Sequence, residues 1–237
     1  MNKKPSSSIL ALIPAHNEVD HIDAVVRAAV DYLPVLVVDD GSSDDTQQVA
    51  RAAGAEVYRQ VPNKGKGAAL LLGFGLALAQ GCAGVITLDA DGQHDPTEIP
   101  LFLEKITDSH PDLIIGARNF RQMPFQRRFA NTFGGMVFSL AMGRTIRDNQ
   151  SGYRYISRRL METMLSSGEQ GFEFEVEMIV LCARNKMQID WIPIRTIYAD
   201  EKSHIQPGKH VIKFLKLCWR TWKSMHLHSI NQKYKLS

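Results

Sequence analysis

Cysteine is scarce. Cys82, Cys182 and Cys218 are the only three, and no two of them form a CxxC pair. Neither a disulfide framework nor a thiolate zinc site is implied, and the spacing fits a reducing cytoplasm. No signal peptide is expected: behind the basic start, the apolar stretch runs only from Ile9 to Ile13, too short for one. No GxxxxGK[ST] frame occurs, since PNKGKGAA does not fit it, and no GxGxxG follows the first strand-like run. That excludes a P-loop and a dinucleotide fingerprint. Internal repeats and low-complexity tracts are absent too. Charge is lacking over the 22 residues from Gly67 to Leu88, long enough to cross a bilayer. Five glycines (67, 73, 75, 81 and 84) interrupt that stretch, however, and Gln80 and Thr87 are polar. It reads instead as a buried helix, about 65–80, followed by a strand, 84–88.

What is present is the composition of a globular protein with a sizeable core: 237 residues, 44% hydrophobic and 22% charged. The length suits one large domain, alone or with an appendage. SILALIP, PVLVVDD, AEVYR, GVITLDAD and DLIIGAR read as strands. Helical spacing fills the intervals, with Asn17 as a plausible N-cap for the first helix and Asp95 for the one after the fourth strand. Such alternation predicts βαβ units and a mostly parallel sheet flanked by helices. The second half is less regular: a helix over 125–142, a strand in SGYRYIS, helices in RRLMETML and FEFEVEMIVLCARN, and a strand in MQIDWIPI.

Polar residues collect where the predicted strands end, which is where open α/β sheets bind ligands. The first strand runs into Pro14, Ala15, His16, Asn17 and Glu18, the second into Asp39, Asp40, Gly41 and Ser42, and the fourth into Asp89 and Asp91. In extended chain, residues i and i+2 point the same way, so the carboxylates of Asp89 and Asp91 converge while Ala90 turns away. Convergent carboxylates suit Mg²⁺ or Mn²⁺, which take carboxylate plus substrate phosphate oxygens. A solvated turn capping the next helix through Asp95 is the ordinary alternative, and both can hold together.

The segments PAHNE, VVDDGSSDDT, NKGKGAAL, LDADGQHDP, IIGAR and DNQSGYR, in this order, resemble family 2 glycosyltransferases of the GT-A fold, above all the dolichol-phosphate mannosyltransferase-like branch. The likeness runs from about Ile9 to Ser203, so that residues 1–205 form the transferase domain and 206–237 a basic C-terminal helix. It implies that Pro14, Ala15, Asn17 and Glu18 line the nucleobase and ribose site. Asp39 and Asp40 would serve the same donor, with Lys64 and Gly65 near the nucleotide. Asp89 would contact ribose or donor sugar, and Asp91, helped by Gln93 and with Asp89 beside it, would hold Mg²⁺ or Mn²⁺. Arg118 would meet donor or acceptor phosphate, and Arg154 would act near the acceptor. Asp89, Asp91, Arg118 and Arg154 are thus the expected catalytic set.

The implied reaction is inverting transfer from a nucleotide-diphosphate sugar to a polyprenyl-phosphate or related lipid acceptor. A lipid phosphate is already anionic and needs no general base. A saccharide hydroxyl, the alternative acceptor, would need one, and Glu173, Glu175, Glu177 and Asp148 are the candidates; the three glutamates are equally readable as helix-start acids favoured by the macrodipole. Three features depart from the wider family. The QxxRW motif of processive synthases is absent, the C-terminal transmembrane helices of many lipid-phosphate transferases are missing, and His16 stands where the branch usually has Tyr. A sugar-1-phosphate nucleotidyltransferase would need a basic glycine-rich N-terminal loop, which IPAHNEVDHI does not offer. A non-catalytic module on a decayed fold is opposed by the intact acids and Lys64.

From Lys202 onward there are eight Lys or Arg and no acid. Lys209, Lys213, Lys216, Arg220 and Lys223 recur at four-three spacing, opposite Val211, Leu215, Cys218, Trp222 and Met225. A basic amphipathic helix bearing tryptophans is expected to lie on a membrane surface, placing the protein peripherally at the cytoplasmic face. A helix packed on the core with a solvated basic side is the other reading. Nucleic acid is not an expected partner, because no recognised module accompanies the charge.

Overall fold

Seven strands form one sheet in the order β3-β2-β1-β4-β6-β5-β7. The computed structural model describes residues 9–118, 125–167, 174–195, 218, 219, 222 and 223. The described residues group into two units, Met1–Arg118 with Gln150–Tyr198, and Asn119–Asn149 with Ala199–Ser237. The first unit holds the whole sheet.

Its strands are β1 (Ile9–Ala15), β2 (Val35–Asp39), β3 (Glu56–Arg59), β4 (Gly84–Thr87), β5 (Leu113–Arg118), β6 (Arg154–Ser157) and β7 (Ile189–Ile194). Pairing is parallel except at β6, which runs antiparallel to both β4 and β5. The sheet is therefore mostly parallel, as expected, with one reversed strand. That reversal matters for the site: β6 begins where its neighbours end, with Arg154 beside Thr87 of β4.

The helices of this unit are α1 (Ile22–Val30), α2 (Thr46–Ala52), α3 (Lys66–Ala79), α4 (Ile99–Ser109), α6 (Arg158–Ser167) and α7 (Phe174–Arg184). Ala11, Ile13, Val26, Ala29, Val37, Ile86, Phe102, Ile114 and Tyr153 are buried in one cluster between sheet and helices. The uncharged stretch resolves into α3 and β4. Gly73 lets α3 settle directly on Leu12 of β1, where a Cβ would run into the leucine methyls. Among the described residues no helix is long and apolar enough to cross a membrane.

Asp95 caps the next element as expected: its side chain accepts the Thr97 N–H at 3.0 Å, at the start of a 3-10 turn (Pro96–Glu98) that leads into α4. Asn17 does not cap α1, which starts five residues later with His21 in the cap position. A competing partner explains the difference. Asn17 takes a left-handed φ of 56° and binds the loop after β2 instead.

The second unit contributes α5 (Phe125–Met142), over the residues predicted for it. In its described part Phe138, Ala141 and Met142 are buried, while Met136 and Leu140 are exposed. Of the C-terminal segment only Cys218, Trp219, Trp222 and Lys223 are described. The two tryptophan rings stack at 5.4 Å, and both are exposed. Lys209, Lys213, Lys216 and Arg220 lie outside the described residues.

Candidate active site

The carboxyl ends of β1, β2, β4 and β5 and the start of β6 share one edge of the sheet, and Pro14, Ala15, Asp39, Asp40, Asp89, Asp91 and Arg118 follow or close the strands that end there. β1 delivers Pro14 and the buried Ala15, then turns through Asn17 and Glu18. That turn is fastened to the loop after β2. Asp40 N–H donates to Ala15 O at 2.8 Å, Asn17 N–H to Ser42 Oγ at 2.9 Å, and Ser43 N–H to Asn17 Oδ1 at 2.8 Å. Glu18 N–H donates to Thr46 Oγ1 at 2.8 Å.

Asp39 is fully buried. Its Oδ1 accepts Ser42 N–H at 3.0 Å, and Arg59 Nε stands 3.3 Å from Oδ2, an oxygen that accepts no hydrogen bond. Asp40 has a different task. Its carboxylate accepts the backbone N–H groups of Lys64 at 2.9 Å and Gly65 at 2.7 Å, and also the Gln60 side-chain amide. It thereby fixes the NKGKG loop against β2.

At the end of β4, Asp89 is met by a cation that sequence reasoning did not single out. Lys66, the first residue of α3, places Nζ 2.5 Å from Asp89 Oδ1 and 3.1 Å from Glu175 Oε1 at the start of α7. Desolvation opposes the lysine's charge, but Asp89 and then Glu175 outweigh it and raise its pKa. Desolvation likewise pushes Asp89 up, yet the opposing charge of Lys66 foremost brings it down to about 2, with Arg118 among the further contributors. Both groups stay charged at neutral pH. Gly152 makes the pairing possible, since a Cβ there would lie 2.8–2.9 Å from the Asp89 carboxylate oxygens and 3.0 Å from Lys66 Nζ.

His94 supports the same turn. Its Nδ1 accepts the Asp89 N–H at 3.0 Å, so the neutral ring carries its proton on Nε2. The 3.9 Å approach of Nδ1 to Asp89 Oδ2 is accordingly no ion pair. Burial lowers the pKa of this imidazole, in keeping with the neutral form. The ring lies 5.1 Å from Tyr153, which in turn packs 4.5 Å from Phe102 in the core. Asp91, half-buried, accepts Gln93 N–H at 3.0 Å.

Arg154 is placed differently from the expectation. It is 1% exposed, and it donates to Ser151 O at 2.6 Å and Glu175 O at 2.5 Å, with Met178 Sδ 3.8 Å away. A guanidinium so enclosed clamps the SGYR turn to α7 through its Nε and Nη1 groups. Of the candidate bases, Glu175 is tied to Lys66, Glu177 is half-buried on the same helix, and Asp148 is buried within the second unit. Glu173 lies outside the described residues.

Lys66, His94 and Gly152 were all inside quoted motifs yet carried no signal of their own. The meaning of Lys66 and Gly152 depends on partners distant in the chain, and that of His94 on a turn that brings its ring back onto the Asp89 N–H.

Among the described residues no three His, Cys, Asp or Glu side chains form a closed metal cage. A site that shares its ion with a substrate needs none, because Mg²⁺ or Mn²⁺ in phosphate sites keeps only one or two carboxylates. Asp91, a hard oxygen donor at a strand end, fits that use, while Asp89 Oδ1 is already engaged by Lys66.

Residues 11–165 match the family described as glycosyl transferase family 2. A UDP-N-acetylglucosamine–dolichyl-phosphate N-acetylglucosaminyltransferase of Methanococcus voltae is 28% identical, over 90% of this chain and 94% of its own. An undecaprenyl-phosphate mannosyltransferase of Micrococcus luteus is 31% identical, over 78% of this chain and 82% of its own. Among solved structures, glucosyl-3-phosphoglycerate synthase from Mycobacterium tuberculosis, in complex with Mn²⁺, UDP and phosphoglyceric acid, has a TM-score of 0.69 at 20% identity. That likeness covers 92% of this chain and 78% of the other, and it shows a shared fold.

Proposed function

The chain belongs to glycosyl transferase family 2 and is a glycosyltransferase, and on that premise we propose that it transfers a sugar from a nucleotide-diphosphate donor to a polyprenyl phosphate. The observation that carries this reading is the strand-end group of Asp89, Asp91 and Arg118, with Lys66 holding Asp89 in place, set beside a loop that Asp40 holds by its backbone. Carboxylates and cations gathered there suit a reaction whose leaving group is a diphosphate. The acceptor class is supported by the two relatives above, whose names specify dolichyl and undecaprenyl phosphate. UDP in one relative's name and in the structural neighbour supports a nucleoside-diphosphate donor.

The assigned roles follow the placement. Pro14, Ala15, Asn17 and Glu18 line the nucleoside site, with Asp39 beside them and paired through Oδ2 with Arg59. Asp40 acts through the loop, presenting Lys64 and Gly65 to the nucleotide. Asp89 faces the donor sugar or ribose, and Arg118 neutralises phosphate. Asp91, with Gln93, would hold Mg²⁺ or Mn²⁺. Bound there, a divalent ion supplies positive charge to the departing diphosphate. The phosphate oxygen of the acceptor is anionic at neutral pH, so its attack on the anomeric carbon needs no base and inverts that carbon. The basic segment 206–237 holds the protein peripherally at the cytoplasmic membrane face where such lipids reside, and the exposed Trp219–Trp222 pair suits an interface.

Incubation with UDP-N-acetylglucosamine, UDP-glucose or GDP-mannose, with and without a short-chain polyprenyl phosphate, tests the reading by mass spectrometry of the organic phase. A glycosyl phosphopolyprenol is the expected product. Transfer only to free saccharides overturns it.

A further inference from the structure

One carboxylate near Asp89 is left without a task in this reading. Glu175 is held in place by three separate contacts. Phe174, 2% exposed, packs its ring against α3, where a Cβ on Gly67 would lie 3.3 Å from it. The same ring lies 6.2 Å from Phe74. Arg154 takes the Glu175 backbone carbonyl at 2.5 Å. The side chain then meets Lys66 Nζ at 3.1 Å, and that ammonium is shared with Asp89. A chance surface pair has no such framework. Here two helices and the reversed strand converge to set one ammonium between two carboxylates.

We propose that Lys66 disarms Glu175 as a proton acceptor, so that water and sugar hydroxyls do not compete with an anionic acceptor for the donor. The inference rests on the polyprenyl-phosphate reading and deepens it into a selectivity device. A water or hydroxyl nucleophile must lose its proton as it attacks. The side reaction suppressed is hydrolysis: the water oxygen bonds to the anomeric carbon, the bond from that carbon to the diphosphate oxygen breaks, and the nucleoside diphosphate leaves with the electron pair. The proton released by the water goes to the Glu175 carboxylate. With Lys66 bound, taking that proton means giving up an ion pair. A phosphate acceptor brings no proton to remove and is unaffected. Lys66 is thus a positioning residue acting through Glu175, and its seat against Asp89 depends on the bare backbone at Gly152.

The test compares nucleoside diphosphate released from the nucleotide sugar without acceptor (hydrolysis) and sugar transferred to a short-chain polyprenyl phosphate. It uses the full-length protein and the variants Lys66→Met, Lys66→Arg, Glu175→Gln and Lys66→Met/Glu175→Gln. Lys66→Met is expected to raise the ratio of hydrolysis to transfer about tenfold or more, within the range of general-base effects. Lys66→Arg should keep the wild-type ratio, and the double variant should return to it even where transfer stays slow. An unchanged ratio in Lys66→Met, or a high ratio persisting in the double variant, overturns the proposal. Should Lys66→Met fail to fold, Glu175→Gln decides: transfer to the lipid phosphate within about tenfold of wild type supports the proposal, and a loss of general-base size, about a hundredfold or more, overturns it. Hydrolysis is read without any acceptor, so failure of the lipid-phosphate reading shows separately, as absent transfer by the wild type.

Discussion

Asp40 at the end of β2 and Gly65 before α3 are joined by a 2.7 Å hydrogen bond from the glycine N–H to the carboxylate, and Lys64 N–H adds a second at 2.9 Å. A buried charge here organises a loop rather than exposing itself to a ligand. Asp40→Asn turns one acceptor oxygen into a donor facing N–H groups, which costs about 1–3 kcal/mol. Part of that cost falls on the loop, so nucleotide affinity should weaken by roughly tenfold, the equivalent of about 1.4 kcal/mol. Calorimetric titration with UDP checks this on a variant whose circular dichroism stays native. Wild-type affinity would show that the loop holds its shape without Asp40.

The Asp89–Lys66 pair sits on Gly152, and adding a methyl group there probes it without touching either charge. Gly152→Ala places a Cβ 2.8–3.0 Å from three charged atoms. Overpacking of this kind costs about 1–3 kcal/mol, and the pair must part to make room. The expected outcome is a modest fall in denaturation midpoint and a much larger fall in kcat. Equal, small effects on both would mean that the pair tolerates displacement.

Much of this arrangement was legible in the sequence, and the reasons are local. β1, β2, β4 and β5 announce themselves as apolar runs closed by polar residues, and α5 by its spacing. The edge carrying Asp39, Asp40, Asp89 and Asp91 follows from parallel strands alone. What escaped depends on distance along the chain. Nothing in NKGKGAAL says that Lys66 reaches Asp89, because its other partner, Glu175, lies in another helix more than a hundred residues away. Arg154 misleads for a related reason. An arginine in a polar motif suggests phosphate, but β6 runs antiparallel and turns this one inward, onto carbonyl oxygens. Asn17 has the residue type of a helix cap, and a loop partner won it over.

Arg154 yields a prediction that separates the two roles. Arg154→Met strips charge-assisted hydrogen bonds from Ser151 O and Glu175 O, each worth about 1.5–3 kcal/mol. Stability in urea should fall by about 3 kcal/mol or more. In the fraction that remains folded, KM for the acceptor should change little. A large rise in acceptor KM at unchanged stability would return Arg154 to the phosphate site.

For the metal, Asp91→Asn keeps the shape of a half-buried strand-end residue and removes its charge. Turnover should drop by about two to three orders of magnitude, the scale of losing one electrostatic contribution to the transition state. Binding of UDP, followed by calorimetry, should lose its dependence on Mn²⁺. Metal-dependent UDP binding of wild-type strength in this variant would place the ion elsewhere.

The last prediction concerns the C-terminal segment. Its basic residues Lys209, Lys213, Lys216, Arg220 and Lys223 recur at four-three spacing in the sequence, and Trp219 and Trp222 are exposed with stacked rings. A basic residue near an anionic leaflet contributes about 1 kcal/mol. Changing Lys213, Lys216 and Arg220 together to Glu should therefore weaken binding to phosphatidylglycerol vesicles by roughly a hundredfold or more. High salt should mimic the change in the wild type, because the attraction is screened within about 10 Å at 0.1 M. Transfer to a water-soluble short-chain polyprenyl phosphate should survive, since the strand ends carrying Asp39, Asp40, Asp89 and Asp91 lie within residues 9–195, while transfer to lipid embedded in vesicles should fall. A helix packed on the core predicts the opposite starting point, a wild-type protein that does not float with vesicles even at low salt. That result would remove the membrane role from this segment and leave its charge to solvent.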